Sequence, residues 1–318
     1  MNSDFSKRAR VERRTYFASS SERLDKFLTA EGGSREGWKR KIKEGYVKVN
    51  GLSASPSLML KEGDVIEWQD PPAPSPSEYP SSLPLTVPIL YEDHDLIVLD
   101  KPPGIVTHPA PGITGQTLVA MLLSHTSLAP TGLPYRPGVV HRLDRDTSGA
   151  IVFAKNDASY LSLIAQFRER TVKKEYLAIV KGAFPTDLPE VRLRLDHRED
   201  RHTEMRVAFS QGKLAITRFR ILHKGSNHTL LSVEPVTGRT HQIRITLSFL
   251  GFPVIGDILY GMPDDKISRQ ALHAVRLEFL HPMKKTPLLS FSPLPSDMRS
   301  LLEILGIPIP FSSAEEGK

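Results

Sequence analysis

A proline-rich segment in the first third of the chain constrains the fold more than any other sequence feature. Seven of the 26 prolines lie between positions 71 and 88, interleaved with serines. Proline fixes φ and lacks a backbone N–H, so this run favours an extended linker over a helix or a central strand. The sequence therefore predicts a basic flexible arm, a small module, the linker, a large module and a polar tail, at residues 1–20, 21–70, 71–88, 89–310 and 311–318.

Composition excludes several kinds of protein. The chain has no cysteine, which excludes disulfides, thiolate zinc sites and a cysteine nucleophile. No apolar run approaches the roughly 20 residues of a membrane-spanning helix, and the N-terminus lacks the apolar block of a signal peptide. We therefore expect a cytoplasmic protein without a membrane partner, while the arginines and serines of residues 1–20 would also suit an organelle transit peptide. The net charge of +6, concentrated in local clusters, indicates a polyanionic partner.

The small module has the pattern of two helices followed by a hairpin. Leu24, Phe27 and Leu28 have the i, i+3, i+4 spacing of a buried helical stripe. Asn50-Gly51 is a strong signal for a tight hairpin turn. This order of elements resembles the S-four type RNA-binding module, first known from a small-subunit ribosomal protein. The stretches that carry the resemblance are 23–28, 42–45, 49–51 and 63–64.

One face of the predicted second helix is basic. Arg35, Lys39 and Lys43 are spaced about one turn apart, so they share a side of the helix. Such a face can contact phosphates without reading base sequence, although charge runs are more often solvated surface. The resemblance implies that this helix meets the RNA backbone.

The large module carries a dense polar loop immediately before an apolar run. Residues 150–154 predict a buried strand, and His141, Arg142, Asp144 and Asp146 precede it. Catalytic groups concentrate on loops that a rigid strand positions. Two other interpretations stay open here. The aspartates could serve turn or cap chemistry, or His141 with Asp144 or Asp146 could hold a metal in a metal-dependent hydrolase.

A second block begins with a continuous apolar run. Residues 96–99 predict a strand buried on both faces. Prolines and a glycine then require a sharp turn at residues 101–104. Lys101 opens this turn, where we favour a structural role, with a phosphate contact as the alternative.

The third block predicts a helix over residues 243–250. Its apolar residues recur at i, i+4 and i+7, Thr240 can cap its start and Gly251 can end it. An alternating strand is the competing interpretation. Arg244 lies close to the start of the element in either case.

Taken together, these blocks closely resemble the RluA family of RNA pseudouridine synthases. The matching stretches are 141–144, 147–149, 174–176, 237–244, 256–257, 260–261 and 272–274. The resemblance implies an α+β fold with a mixed, largely antiparallel sheet and an active site in a central cleft, preceded by the small α+β RNA-binding domain. It also implies an isomerase that converts uridine to pseudouridine without a cofactor or a metal.

The resemblance also assigns roles by position in the motifs. Asp144 matches the catalytic aspartate, Tyr176 the aromatic residue that stacks on the target base, and Arg244 the basic residue paired with the aspartate. Arg142 matches the residue that enters the base stack when the uridine flips out, and we expect the adjacent His141 to contact substrate. The chemistry suits these residue types, because an ionised carboxylate can attack and a planar guanidinium can hold it.

RNA is therefore the expected partner of a monomeric protein. We favour ribosomal RNA of the large subunit, with tRNA as the alternative. A non-catalytic RNA-binding or ribosome-assembly protein on the same scaffold is the rival interpretation.

Overall fold

The chain divides into two compact units, residues 1–75 and 76–318, in a computed structural model. The boundary lies inside the proline-rich segment predicted as a linker. The structure describes residues 13–18, 21–30, 35–69, 84–109, 116–132, 136–198 and 204–310. The predicted tail, most of the predicted linker and most of the predicted arm lie outside these described residues.

Two predicted boundaries are wrong, namely the C-terminal end of the arm and the C-terminal end of the linker. Arg13–Phe17 of the predicted arm form strand β1, which pairs antiparallel with Val65–Gln69. The arm therefore extends less far than predicted, because the last strand of the small sheet offers its backbone groups a hydrogen-bonding partner. Leu85 and Val87 of the predicted linker pack into a core cluster of the large unit. Their burial removes apolar surface from water, which a free linker would leave exposed.

The small unit combines a four-stranded antiparallel sheet of order β1-β4-β2-β3 with two helices. Its remaining elements are α1 (Leu24–Ala30), α2 (Arg35–Lys43), β2 (Val47–Val49), β3 (Leu52–Ser53) and β4 (Val65–Gln69). The predicted order of two helices and a hairpin is confirmed.

Aromatic packing and a tight turn stabilise this unit. Trp38 of α2 packs edge-to-face on Trp68 of β4, with ring centroids 5.2 Å apart. Asn50 and Gly51 both have positive φ, 52° and 76°, as the tight turn between β2 and β3 requires. The Asn50 amide also donates to the Asp64 carboxylate over 2.9 Å, which links the turn to the start of β4.

The large unit is built on a ten-stranded sheet of order β10-β9-β11-β12-β8-β13-β7-β6-β5, with β14 paired to β13. The pairing of β7 with β13 is parallel and the other pairings are antiparallel, so the expected α+β fold with a mixed, largely antiparallel sheet is confirmed. Among the described residues no helix is long and apolar enough to cross a membrane. The elements are β5 (Ile89–Glu92), β6 (Leu96–Lys101), α3 (Leu118–His125), β7 (Ser148–Ala154), α4 (Asp157–Glu169), β8 (Lys173–Lys181), β9 (Glu190–His197), β10 (Met205–Ala208), β11 (Lys213–Lys224), β12 (His228–Pro235), α5 (Gln242–Phe249), β13 (Leu272–Leu280), β14 (Pro287–Phe291) and α6 (Ser296–Ile304).

A glycine allows the parallel contact at the middle of the sheet. Every residue of β7 is buried, as its apolar run predicts. Gly149 has φ 122°, and a Cβ there would lie 2.2 Å from the carbonyl oxygen of Ala274 on β13. A side chain would therefore force the two strands apart. The polar loop that ends at β7 is thus held next to β13, whose other neighbour is β8.

Helix α5 is confirmed as a helix, but its predicted cap is wrong. His241, in the left-handed region at φ 52°, occupies the N-cap position and makes no side-chain cap hydrogen bond. The helix begins at Gln242, so the N-cap position falls on His241 and not on Thr240. Gly251, at φ 84°, follows the end of the helix as predicted.

Candidate active site

One cavity of about 560 Å³ gathers the chemistry-bearing motifs of the large unit. Its walls come from the loop before β7, from β8, and from the segment that leads into α5. Five residues singled out by the sequence line it: His141, Arg142, Asp144, Tyr176 and Arg244. They are separated by up to 103 positions in the chain, so the sheet and α5 bring them together.

Arg244 holds two carboxylates at once. Its Nε and Nη2 donate to the two oxygens of Asp257 over 2.7 and 2.8 Å, and its Nη1 donates to Oδ2 of Asp144 over 3.1 Å. The backbone N–H groups of Leu259 and Tyr260 donate to Asp257 as well. Asp257 is therefore saturated with donors, whereas Oδ1 of Asp144 has no hydrogen-bond donor among the described residues.

Electrostatics keep Arg244 and Asp257 ionised. Burial alone would lower the pKa of Arg244, but the ion pairs with Asp257 and Asp144 raise it above its usual value. Burial would raise the pKa of Asp257, but the hydrogen bonds and charge of Arg244, together with the backbone N–H groups of Tyr260 and Leu259, lower it below its usual value. Asp257 is 1% exposed and Asp144 is 17% exposed. The buried guanidinium is thus neutralised by Asp257, and Asp144 presents its second oxygen to the cavity.

Tyr176 brings an aromatic ring to the same cavity from β8. It is half-buried and packs against the two core clusters on either side. Burial, and then the negative charge of Asp144, raise the pKa of its hydroxyl. The phenol therefore keeps its proton at neutral pH.

His141 is held by the protein on both its edge and its face. Its Nε2 accepts the backbone N–H of Val152 over 3.0 Å, and its ring stacks on Phe167 with centroids 4.7 Å apart. Burial, and then the charge of Lys174, lower the pKa of His141 to about 3, so the ring is neutral and its proton lies on Nδ1.

This geometry argues against the metal interpretation of the loop. The Nε2 lone pair of His141 is used by the backbone and is not available to a metal shared with Asp144 or Asp146. In the described part of the chain, one group of three potential ligands lies close together, namely Asp93, Asp95 and His281. Asp93 there already accepts from His281 and Lys284, as in an ordinary ion-pair network.

Cations surround the acidic centre. Arg142, Arg168, Arg170, Lys174 and Arg239 line the cavity. Arg142 is exposed and makes no hydrogen bond or ion pair with the described residues. These cations favour the binding of a polyanion, whose charged groups would contact them while an uncharged part enters the cavity.

The predicted basic face of the small unit belongs to a single helix. Arg35, Lys39 and Lys43 all belong to α2, as predicted. Lys43 is exposed and Lys39 is half-buried, and the Arg35 side chain lies outside the described part of the structure.

Lys101 has a structural position, and its alternative role as a phosphate contact does not fit its burial. It is fully buried and donates to the carbonyl oxygens of Pro102, Arg145 and Thr147 over 2.9, 2.7 and 2.9 Å. Two of these carbonyls belong to Arg145 and Thr147, one and three positions after Asp144 in the loop. Lys101 thus ties β6 to the loop that carries the candidate carboxylate.

We expect Lys101→Met to lower the free energy of unfolding by about 3 kcal/mol, because buried carbonyls lose their donor. Urea unfolding of the full chain measures this change. The matched control is Lys173→Met, where the 71% exposed lysine pairs with Glu278 at the surface, and its effect should stay below about 1 kcal/mol. Equal effects of the two substitutions would contradict the structural role of Lys101.

One residue that completes the site, Asp257, received no role in the sequence analysis. In the sequence, Asp257 is recognisable only as part of a motif. Its pairing could not be predicted, because its partner Arg244 is thirteen positions away on another element. Its preceding Gly256 has φ 72°, and a Cβ there would lie 2.2 Å from the Arg269 carbonyl oxygen. The glycine directly before Asp257 is the one sequence signal that the backbone at this position is constrained.

Comparisons with known proteins point to one enzyme family. A family model described as RNA pseudouridylate synthase matches residues 95–249, and an S4 domain model matches residues 22–66. An uncharacterized RNA pseudouridine synthase, YlyB, of Bacillus subtilis (strain 168) is 38% identical, covering 90% of this chain and 94% of the relative. The ribosomal large subunit pseudouridine synthase D of Borreliella burgdorferi is 34% identical, covering 85% of each.

The chain therefore belongs to the family of RNA pseudouridine synthases, and it is an enzyme of that class with an S4 domain in front. Solved structures agree on the fold. Human RNA pseudouridylate synthase domain containing 1 aligns with a TM-score of 0.52 and 26% identity, covering 71% of this chain and 97% of its own. Human RNA pseudouridylate synthase domain containing 4 aligns with a TM-score of 0.54 and 23% identity, covering 70% and 94%.

Proposed function

We propose that this enzyme isomerises specific uridines in structured RNA, with ribosomal RNA of the large subunit as its substrate and Asp144 as its catalytic carboxylate. One observation carries the proposal. Arg244 holds one oxygen of Asp144 and leaves the other facing a cavity that Tyr176 also lines. An ionised carboxylate beside an aromatic surface suits a reaction on a flat base.

The reaction is an internal rearrangement. The bond between ribose C1′ and uracil N1 breaks, the uracil rotates, C5 bonds to C1′, the C5 proton leaves to solvent, and N1 takes up one proton from solvent. No electrons are gained or lost, so the chemistry requires no redox cofactor. Asp144 attacks or deprotonates the nucleotide, Arg244 fixes its orientation, and Tyr176 stacks on the uracil while it turns.

The target uridine must first leave the RNA stack, which costs a few kcal/mol. Arg142 is exposed at the rim of the cavity and is free of partners among the described residues. Its planar guanidinium can stack on bases and so fill the gap that the uridine leaves. The neutral Nδ1–H of His141 supplies a hydrogen-bond donor at the same wall.

Ribosomal RNA is favoured over tRNA because relatives such as the Borreliella burgdorferi protein are named ribosomal large subunit pseudouridine synthase D. A release assay with RNA tritiated at uridine C5 tests the proposal, since forming the new bond expels the label. We expect release from large-subunit ribosomal RNA in EDTA, and much less from tRNA. Release of the label from tRNA alone would identify tRNA, and not ribosomal RNA, as the substrate. No release from either RNA would favour a non-catalytic RNA-binding protein. The cytoplasmic location and the monomeric state remain predictions.

We expect a chain that starts at Pro84 to fold and to modify a short unstructured RNA, but to lose efficiency or site fidelity on ribosomal RNA. The start point keeps Leu85 and Val87, which pack in the core of the large unit. The S4 unit would act as a second, tethered RNA contact that raises the effective concentration. Rates and modified positions, compared with the full chain, measure the effect.

The matched variant is the full chain with Arg35, Lys39 and Lys43 changed to glutamine. If these residues contact phosphates, the slope of log affinity against log salt should become shallower by the contribution of up to about three phosphate contacts. A truncated enzyme equal to the full chain in rate, site choice and salt dependence would contradict the guiding role.

A further inference from the structure

His241 occupies a strained position next to the candidate carboxylate. It lies at the N-cap of α5 with φ 52°, a conformation that costs a non-glycine residue energy and that histidine tolerates better than most. It makes no capping hydrogen bond that would explain this conformation. Its side chain instead lines the cavity, with Nε2 3.9 Å from Oδ1 of Asp144.

A hydrogen-bond chain behind the ring determines where its proton lies. The Tyr260 hydroxyl accepts the backbone N–H of Met205 over 2.8 Å and lies 2.9 Å from Nδ1 of His241. Burial raises the pKa of Tyr260, so its O–H proton remains and can be donated to Nδ1. Burial also lowers the pKa of His241, so the ring is neutral. A neutral imidazole that accepts at Nδ1 carries its proton on Nε2, the nitrogen nearest Asp144.

The two oxygens of Asp144 therefore face different donors. Arg244 donates to Oδ2 over 3.1 Å, and the Nε2–H of His241 faces Oδ1. The Tyr260 ring also lies 5.2 Å from the Arg244 guanidinium. One tyrosine thus contacts both residues that flank the carboxylate. The other charged groups that act on His241 are Arg142 and Asp257.

We propose that His241, with its tautomer set by Tyr260, is a positioning residue that fixes the orientation of the Asp144 carboxylate for the isomerisation. The proposal rests on the proposed function. The 3.9 Å separation is longer than a hydrogen bond, and it shortens when the nucleotide fills the cavity and excludes water. The histidine proton stays on Nε2 throughout, so no proton transfer by His241 is required.

The test compares His241→Leu with His241→Gln in the full chain. Both replacements are unbranched at Cβ and meet a similar backbone penalty at φ 52°, but only the glutamine amide restores an N–H donor at this reach. We expect His241→Leu to slow single-turnover pseudouridine formation about tenfold or more at unchanged RNA affinity. His241→Gln should recover a clear part of that loss. The control His94→Gln changes a 93% exposed histidine and should leave the rate unchanged.

Tyr260→Phe provides the second measurement. It should slow the wild-type enzyme, but it should add little to His241→Leu, because that variant has already lost the donor that Tyr260 orients. Equal rates for His241→Leu and wild type, no recovery by glutamine, or additive effects of the two substitutions would each overturn the positioning role. A wild-type enzyme that forms no pseudouridine would instead overturn the proposed function.

Discussion

Replacing Asp144 by asparagine should reduce single-turnover pseudouridine formation to below about one per cent of wild type, a loss of more than about 3 kcal/mol in transition-state stabilisation. The amide has the same shape but carries no charge and cannot act as a nucleophile or base. RNA affinity should change little, because the cations that line the cavity remain. Rapid-quench kinetics with saturating enzyme measure the chemical step, and filter binding measures the affinity.

The matched control for this substitution lies two positions further along the same loop. Asp146 is 44% exposed and its nearest ionic partner is Arg145 at 3.8 Å. Asp146→Asn therefore removes a loop carboxylate without touching Arg244, and its rate should stay close to wild type. A residual rate for Asp144→Asn well above one per cent would contradict an essential carboxylate at this position.

Arg244→Lys should slow the chemical step strongly, by about a hundredfold or more, while RNA affinity changes little. Lysine keeps the charge but loses the planar fork, so it cannot hold Asp257 through two bonds and Asp144 through a third. Because Asp257 is nearly inaccessible to solvent, the imperfect pairing should also lower the free energy of unfolding. Single-turnover rates, RNA binding and urea unfolding of the same preparation separate these effects.

Arg218→Lys is the matched control, because Arg218 is 53% exposed and pairs with Glu190 on the sheet surface. It should leave rate and affinity unchanged. If Arg244→Lys mainly weakened RNA binding, Arg244 would be a phosphate contact, and its role in orienting Asp144 would be wrong.

Features that depend on local chemistry could be predicted from the sequence. The Asn50-Gly51 turn, the buried strands around residues 96–99 and 150–154, and helix α5 all follow from spacing and turn residues within a few positions. The sheet class and the grouping of Asp144, Tyr176 and Arg244 came from motif resemblance. Spacing alone could not place three residues from different elements in one cavity.

Features that depend on distant partners could not be predicted. Strand β1 forms because it pairs with β4, which lies some fifty residues later in the chain. The sequence of β1 itself carries no signal for this distant partner. The same reason hides the pairing of Arg244 with Asp257 and the buried role of Lys101, whose acceptors Arg145 and Thr147 follow more than forty positions later. Thr240 is not the cap of helix α5, because the helix begins at Gln242 and its N-cap position falls on His241.

Pseudouridine mapping across all cellular RNA tests the central claim most directly. The cells compared would lack this protein, or would be restored with either the wild-type chain or Asp144→Asn at matched levels. We predict that defined uridines of large-subunit ribosomal RNA become pseudouridine with the wild-type chain, and stay uridine without the protein and with Asp144→Asn. Identical maps in all three cells, or full modification by Asp144→Asn, would contradict uridine isomerisation at the Asp144 cavity.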